Sequence, residues 1–396
     1  MNLGKILKNV LFNPFFTYAL FVSLSLVFYS FGWSNFPNLS FPVLLLILGS
    51  AIISFLLGLK VRYFKSESEN KLKPEKFWFF SVVAGIILTL GFIALYINGG
   101  VPMYNILFSG NTYNYQDFKG INYLSTITMY GMSSLICLWI NAVYIFRDKK
   151  YLFLIGIGLL HVALMASRGY TVLVLFPGVL IVLYYLKLDV RKLISLIVLG
   201  IVFFYLFGRF GDSREEAKKR DGSFNFYSIY QNNSYPDFLP DEFFWGYYYF
   251  TSPIAKMQYT VQDKQINALK NDYGALVLFE MMPYSFGERF NKYLNYNKRV
   301  SSYKLPPWFV GTAFYGPYLY AKWSGVLIYT VFLFSLVYLI FLFTKQKLGK
   351  WGIPVIANLS LYMALSVFDN MIAFAPINFQ LAGCLVFGVV VIRLKI

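Results

Sequence analysis

Cysteine, histidine and charge are all scarce in this sequence. It holds 2 cysteines and 1 histidine, and charged residues make up only 13% of it, about half of what a soluble domain carries. Cys137 and Cys384 both fall inside apolar runs, so neither a disulfide framework nor a cysteine metal site is available. A Gly-rich phosphate loop ending in Lys and Ser or Thr, an Asp-X-Asp pair and His-Glu-X-X-His are all missing. Those absences argue against a nucleotide-driven pump and a histidine-based zinc enzyme. The apolar runs are almost free of ionisable residues, His161 apart, and ion-coupled transporters need such groups at membrane depth. No internal repeat at a fixed period is present, which removes a further mark of many transporters.

Apolar residues, by contrast, make up 58% of the chain. They form ten runs, near 15–33, 41–59, 77–97, 121–146, 151–167, 170–186, 193–208, 317–343, 353–367 and 371–392. Most are long enough to cross about 30 Å of hydrocarbon. Basic residues sort onto alternate connections. One side holds Lys60, Arg62, Lys65, Lys71, Lys73 and Lys76, then Arg147, Lys149 and Lys150, then Lys187, Arg191 and Lys192, while the short connections opposite hold only Lys119 and Arg168. Positive charge stays cytoplasmic. The pattern therefore predicts an all-α integral membrane protein of about ten spans with both termini inside. The first run lacks a small-residue cleavage site and reads as a retained span. The net charge of +17 is mostly this inner-loop bias, so nucleic acid is not a predicted partner.

The chain divides into residues 1–207 with seven spans, an outer loop at 208–309, and residues 310–396 with three more. In the loop, Ser213 and Glu216 have capping-box spacing and predict a short helix to Gly222. A second helical pattern runs from Phe243 to about Asp263. Pro306-Pro307-Trp308 leads rigidly into the eighth span. Asn98-Gly99-Gly100-Val101-Pro102 ends the third span and predicts a re-entrant or interfacial piece beyond it.

The remaining chemistry is a set of outer basic residues at membrane depth. Arg168 sits in Ser167-Arg168-Gly169, the turn between two short spans, and Arg209 leaves the seventh span. Arg214 and Lys218 lie one and two turns further out, Arg289 follows Glu288, and Lys322 enters the eighth span seven residues after Tyr315, on the same helical face. Guanidinium groups bind phosphate oxygens through paired, charge-assisted bonds, so such a set suits a lipid diphosphate. Snorkelling to phospholipid headgroups is the alternative for each. His161 reads as a buried histidine bonded to a neighbouring helix. Most outer carboxylates, Asp369 among them, read as solvated charges. Glu280 stands apart in Leu278-Phe279-Glu280-Met281-Met282, where burial would raise its pKa and fit it to accept a proton; a structural carboxylate is the alternative. The loop tyrosines, Tyr248 and Tyr249 among them, could stack on sugars or serve as an interfacial belt.

Several motifs then combine: Gly99-Gly100-Val101-Pro102, Ser167-Arg168-Gly169, Tyr247-Tyr248-Tyr249-Phe250-Thr251-Ser252-Pro253, and Gly311-Thr312-Ala313-Phe314-Tyr315-Gly316-Pro317-Tyr318 leading into Trp323-Ser324-Gly325. With the long outer loop they resemble bacterial O-antigen polymerases of the Wzy type, over nearly the whole chain. The resemblance implies a GT-C-like polymerase/ligase architecture in the inner membrane. It also implies transfer of a glycan from undecaprenyl diphosphate to a sugar hydroxyl of the next lipid-linked repeat, with a chain-length regulator as a possible partner. On that reading Arg168, Arg209 and Glu280 are catalytic candidates. Arg214, Lys218, Arg289, Lys322, Tyr248, Tyr249, Tyr315 and Tyr318 are substrate-binding candidates, and no cofactor or metal is expected. An O-antigen ligase, or a flippase or exporter of lipid-linked glycans, is the alternative.

Overall fold

The structure, a computed structural model, describes residues 8, 10–61, 74–108, 120–121, 123–186, 191–192, 194–195, 198–202, 204–206, 208–209, 226–299 and 311–393. Among them every regular element is a helix. The first seven are α1 (Pro14–Ser30), α2 (Phe41–Val61), α3 (Pro74–Gly99), α4 (Pro102–Phe108), α5 (Leu124–Phe146), α6 (Lys150–Met165) and α7 (Arg168–Tyr185). Further helical residues follow between 191 and 209. Residues 226–294 contribute α8 (Phe226–Tyr230), α9 (Glu242–Gln262), α10 (Lys264–Ala268), α11 (Tyr273–Glu280) and α12 (Tyr284–Leu294). The chain closes with α13 (Tyr315–Lys347), α14 (Ile353–Leu365) and α15 (Ala375–Arg393).

Five stretches are long and apolar enough to cross a membrane: Phe41–Val61, Pro74–Asn105, Leu124–Phe146, Tyr315–Lys347 and Ala375–Arg393. Pro14–Ser30, Lys150–Met165 and Gly169–Tyr185 are shorter apolar helices. The long helices also carry an outward apolar stripe. On α2, Leu45, Ile52, Phe55, Leu56 and Leu59 are all exposed, an area too large to leave against water. By length, composition and exposed surface this is an all-α membrane protein.

The helix ends follow local chemistry. Asn13 caps α1 by accepting from the Phe15 and Phe16 amides, and its own amide donates to the Gly58 carbonyl of α2 at 2.9 Å. Ser167 caps α7 by accepting from the Tyr170 amide. Gly100, at a φ of +74°, ends α3, and the short α4 follows where the sequence predicts an interfacial piece.

One helix is enclosed by the others. In α14 every residue from Ile353 to Ala364 is buried, and it packs against α1, α5, α7, α13 and α15. Its 13 residues rise about 20 Å, short of the roughly 30 Å of a hydrocarbon core. In the non-helical segment 366–374 that follows, Ser366, Val367, Asn370, Met371 and Ile372 are buried. Irregular backbone is tolerated at such a place only where protein satisfies it, and this segment is so satisfied: the Ala313 amide donates to the Ser366 carbonyl at 3.1 Å, and the Tyr284 amide to the Ala373 carbonyl at 2.9 Å.

Helices α8 and α9 gather over the end of α1. Phe226, Phe244, Trp245, Tyr247 and Tyr248 pack with Trp33 and Phe36 into a separate aromatic core. Phe226 and Trp245 stack at 3.8 Å between ring centres.

Candidate functional site

Glu280 ends α11 with its carboxyl enclosed by protein, and part of the residue keeps solvent access. Its Oε2 accepts from the Asn370 side-chain amide at 2.7 Å, and that same nitrogen also donates to the Glu280 carbonyl at 2.9 Å. Asn370 Oδ1 accepts from the Tyr329 hydroxyl at 2.6 Å and from the amides of Ile372 and Ala373 at 3.0 and 3.3 Å. With two acceptors on the nitrogen and three donors on the oxygen, the amide has one orientation. Any side chain at Gly316 would collide with the carboxyl, so glycine there admits Glu280. Among the described residues, Glu280 Oε1 takes no hydrogen bond. Among the described residues the carboxylate is thus held by one oxygen, Oε2.

Burial pushes the Glu280 carboxyl up from 4.5 to about 7; the Asn370 donor opposes the shift, Asp369 adds to it and Lys298 counters it. An acid poised there changes protonation at working pH, as a general base should. Asp369 is also pushed up by burial, against the Asn370 amide at 2.7 Å and the Lys256 charge. This corrects the expectation that Asp369 is a solvated charge. Lys256, on α9, is half-buried over the Tyr315 ring with its nitrogen 4.3 Å from the centroid. Burial pulls its pKa down and Asp369 pulls it back up. Two carboxyls, one amide, one ammonium and two tyrosines from α9, α11, α13 and segment 366–374 therefore meet in one place. Such groups enclosed together make this cluster the candidate functional site.

Of the residues singled out from sequence, Glu280 and Tyr315 belong to this cluster. Tyr318 and Lys322 form a second, smaller one, donating to the side chain and the carbonyl of Asn267 at 2.9 and 2.6 Å. The seven-residue spacing of Tyr315 and Lys322 does not put them on one face. Ala321 and Lys322 leave helical geometry inside α13, with Lys322 at a φ of 51°, and this kink breaks the periodicity. Arg209 pairs with Glu242 at 3.5 Å on an exposed surface. Arg289 donates to the Tyr123 hydroxyl and lies over its ring. Tyr248 is 1% exposed and packs edge-on to Phe226; it builds the aromatic core and offers no face to a sugar. Tyr249 is half-buried at the edge of that core.

Arg168 is the first residue of α7, and its side chain lies outside the described part of the structure. Arg214, Lys218 and the helix predicted from Ser213 to Gly222 lie outside the described residues, as does Pro306-Pro307-Trp308. His161 is stacked on Phe92 at 4.3 Å and meets the Tyr96 hydroxyl at 3.3 Å, the structural role expected for it.

Sequence reading missed Lys256, Asn370 and Tyr329. Two signals were present. Lys256 is a lone cation in Pro253-Ile254-Ala255-Lys256-Met257, and Asp369-Asn370 fill a connection of three residues between two apolar runs, too short to reach water if the first run is itself short. No family model, curated protein or solved structure matches this chain. The functional reading therefore rests on the residues and their geometry.

Proposed function

We propose that this chain polymerises undecaprenyl-diphosphate-linked oligosaccharide repeats into O-antigen or a related surface polysaccharide, on the outer face of a bacterial inner membrane. The observation that carries this reading is Glu280: a carboxyl near neutrality, held by Asn370 through one oxygen, set beside a helix too short to cross the bilayer. On the ten-span topology with both termini cytoplasmic, that position lies just beneath the outer headgroups, where a lipid diphosphate presents its charge.

In the reaction, a hydroxyl of the acceptor repeat gives its proton to Glu280 as its oxygen bonds to the anomeric carbon of the donor glycan. The bond from that carbon to the diphosphate breaks, and undecaprenyl diphosphate leaves with the electron pair. The protonated Glu280 then releases its proton to water. Asn370 and Tyr329 hold the carboxylate in place. Arg168 and Arg209, from two outer helix ends, would stabilise the charge that develops on the leaving diphosphate, more in the transition state than in the ground state. Arg214, Arg289, Lys218 and Lys322 extend that basic surface. The leaving group is already activated, so no nucleotide is needed, and the arginines supply the charge that a divalent metal would otherwise supply.

The test is to incubate purified protein with a lipid-linked repeat and resolve the products by length. A ladder supports the reading, and it should persist with chelator present. An unchanged substrate together with transbilayer movement of the lipid would instead make the protein a flippase. A ladder that stops with chelator and returns only with magnesium or manganese would overturn the metal-independent mechanism.

A further inference from the structure

Helix α12 presents three different surfaces around its circumference. Gly287 faces the protein, where its backbone lies so close to the Leu278 carbonyl that any side chain would collide. Glu288, Arg289 and Lys292 fall on a second side. Phe286, Phe290, Tyr293 and Leu294, at successive spacings of four, three and one, form a third, and they are 50, 51, 86 and 56% exposed. A stripe of this size on an 11-residue helix is costly in water, since burying each such side chain is worth about 1.5–3 kcal/mol.

The height of α12 is fixed by its neighbours. Arg289 is bonded to Tyr123, the residue directly before α5, and the Tyr284 amide is bonded to the Ala373 carbonyl, two residues before α15. Both α5 and α15 are long enough to cross the bilayer. The helix thus lies level with the ends of two spans, at the membrane boundary on that side. Its own charges are Arg289 and Lys292 against Glu288, with Lys298 following, a positive balance that suits lipid phosphates.

We infer that α12 is an in-plane amphipathic helix whose Phe286–Leu294 stripe is inserted into the acyl region of the adjoining membrane leaflet. Glu280 is only four residues before its start, so the inserted helix is continuous with the edge of the polar cluster. It forms a side wall along which a lipid-borne ligand can reach that cluster without leaving the bilayer.

Nitroxide labels on the full-length protein in bilayers of phosphatidylglycerol and phosphatidylethanolamine test this directly. Cys137 and Cys384 are buried, so labels placed by Phe290→Cys, Leu294→Cys or Lys292→Cys report only the new position. Labels at 290 and 294 should collide with dissolved oxygen several-fold more than with an aqueous nickel complex, and the label at 292 should show the reverse. Leu327→Cys, on the exposed face of α13, shows whether each preparation is inserted. If 327 reads as lipid while 290 is as open to nickel as 292, the inference fails. Spin–spin broadening at 290 between copies would also overturn it, making the stripe an interface with a second chain. None of these readings depends on glycosyl transfer.

Discussion

Two regions outside the long spans share tyrosines and buried polar atoms, yet they are built on opposite rules. In the aromatic core of α8, α9 and the 31–36 segment, rings fill space against rings, and the hydroxyls serve mainly to tie backbone, as Tyr235 does to the Pro240 carbonyl at 2.8 Å. Around Glu280 the space is filled by polar groups that hold one another, and among the described residues one carboxylate oxygen takes no hydrogen bond. The first region packs α8 and α9 against the end of α1. The second keeps a titratable group at a cost in burial energy.

The sharpest break of that comparison is Glu280→Gln, which keeps the shape and the Asn370 contact but removes the proton acceptor. Loss of a general base costs on the order of 100- to 10,000-fold in rate, to be read as the rate of ladder growth at equal protein abundance. The variant also carries a stability signature. The folded carboxyl titrates near 7 against an ordinary 4.5, so the folded chain binds the extra proton between those values. Stability from this group is present below about 4.5 and is lost as pH rises through 7. Melting temperature should fall over that window in the native protein and lose that component in the variant. Full activity in Glu280→Gln would reduce the cluster to a structural network.

Arg168 is next in size. Replacing it by Ala should cost on the order of 100-fold, the scale for losing one preorganised charge donor. Lys should restore only part, because it keeps the charge and loses the bidentate fork. Expression and membrane insertion should be unchanged, since the residue opens α7 after a turn. Normal ladders from the Ala variant at normal abundance would mean that this arginine only meets headgroups.

Asn370→Ala sharpens the comparison by a shift instead of a loss. Asn370 donates to the ionised form of Glu280, so removing it raises the carboxyl pKa further. Burial, Asp369 from the same segment and Lys298 after α12 are the other influences that set it. The rate limb that rises with pH should move upward, so that activity lost near neutrality returns in part at higher pH. A merely structural asparagine would lower the rate equally at every pH.

Much of this was legible in the sequence, for physical reasons. Apolar runs marked the helices closely, with 41–59 becoming Phe41–Val61 and 353–367 becoming Ile353–Leu365, because span length and hydropathy are local properties. Glu280 was visible through its apolar neighbours. Asp369 was not, since its burial depends on α14 being short and on segment 366–374 being stitched to 284 and 313, which are distant in sequence. The face shared by Tyr315 and Lys322 assumed an unbroken helix, and the kink at Ala321 removed it. Tyrosines in Tyr247-Tyr248-Tyr249 read alike in sequence, and only packing separates the buried Tyr248 from the half-buried Tyr249.

That separation yields the smallest effect. Tyr248→Phe keeps the ring against Phe226, Tyr230 and Phe36 and removes only a hydroxyl whose pKa burial already drives upward, so polymer length and rate should stay within about twofold, a difference of roughly 0.4 kcal/mol. Tyr248→Ala should instead lower stability by about 3–5 kcal/mol, the cost of emptying a large aromatic site, and would be seen as a lower melting temperature before any change in the chemistry of folded protein. The two variants part the readings cleanly, since a tyrosine that hydrogen-bonds a sugar would lose affinity on losing its hydroxyl. A large rise in the acceptor KM with Tyr248→Phe, at unchanged melting temperature, would place a sugar against the aromatic core and erase the distinction between the two regions.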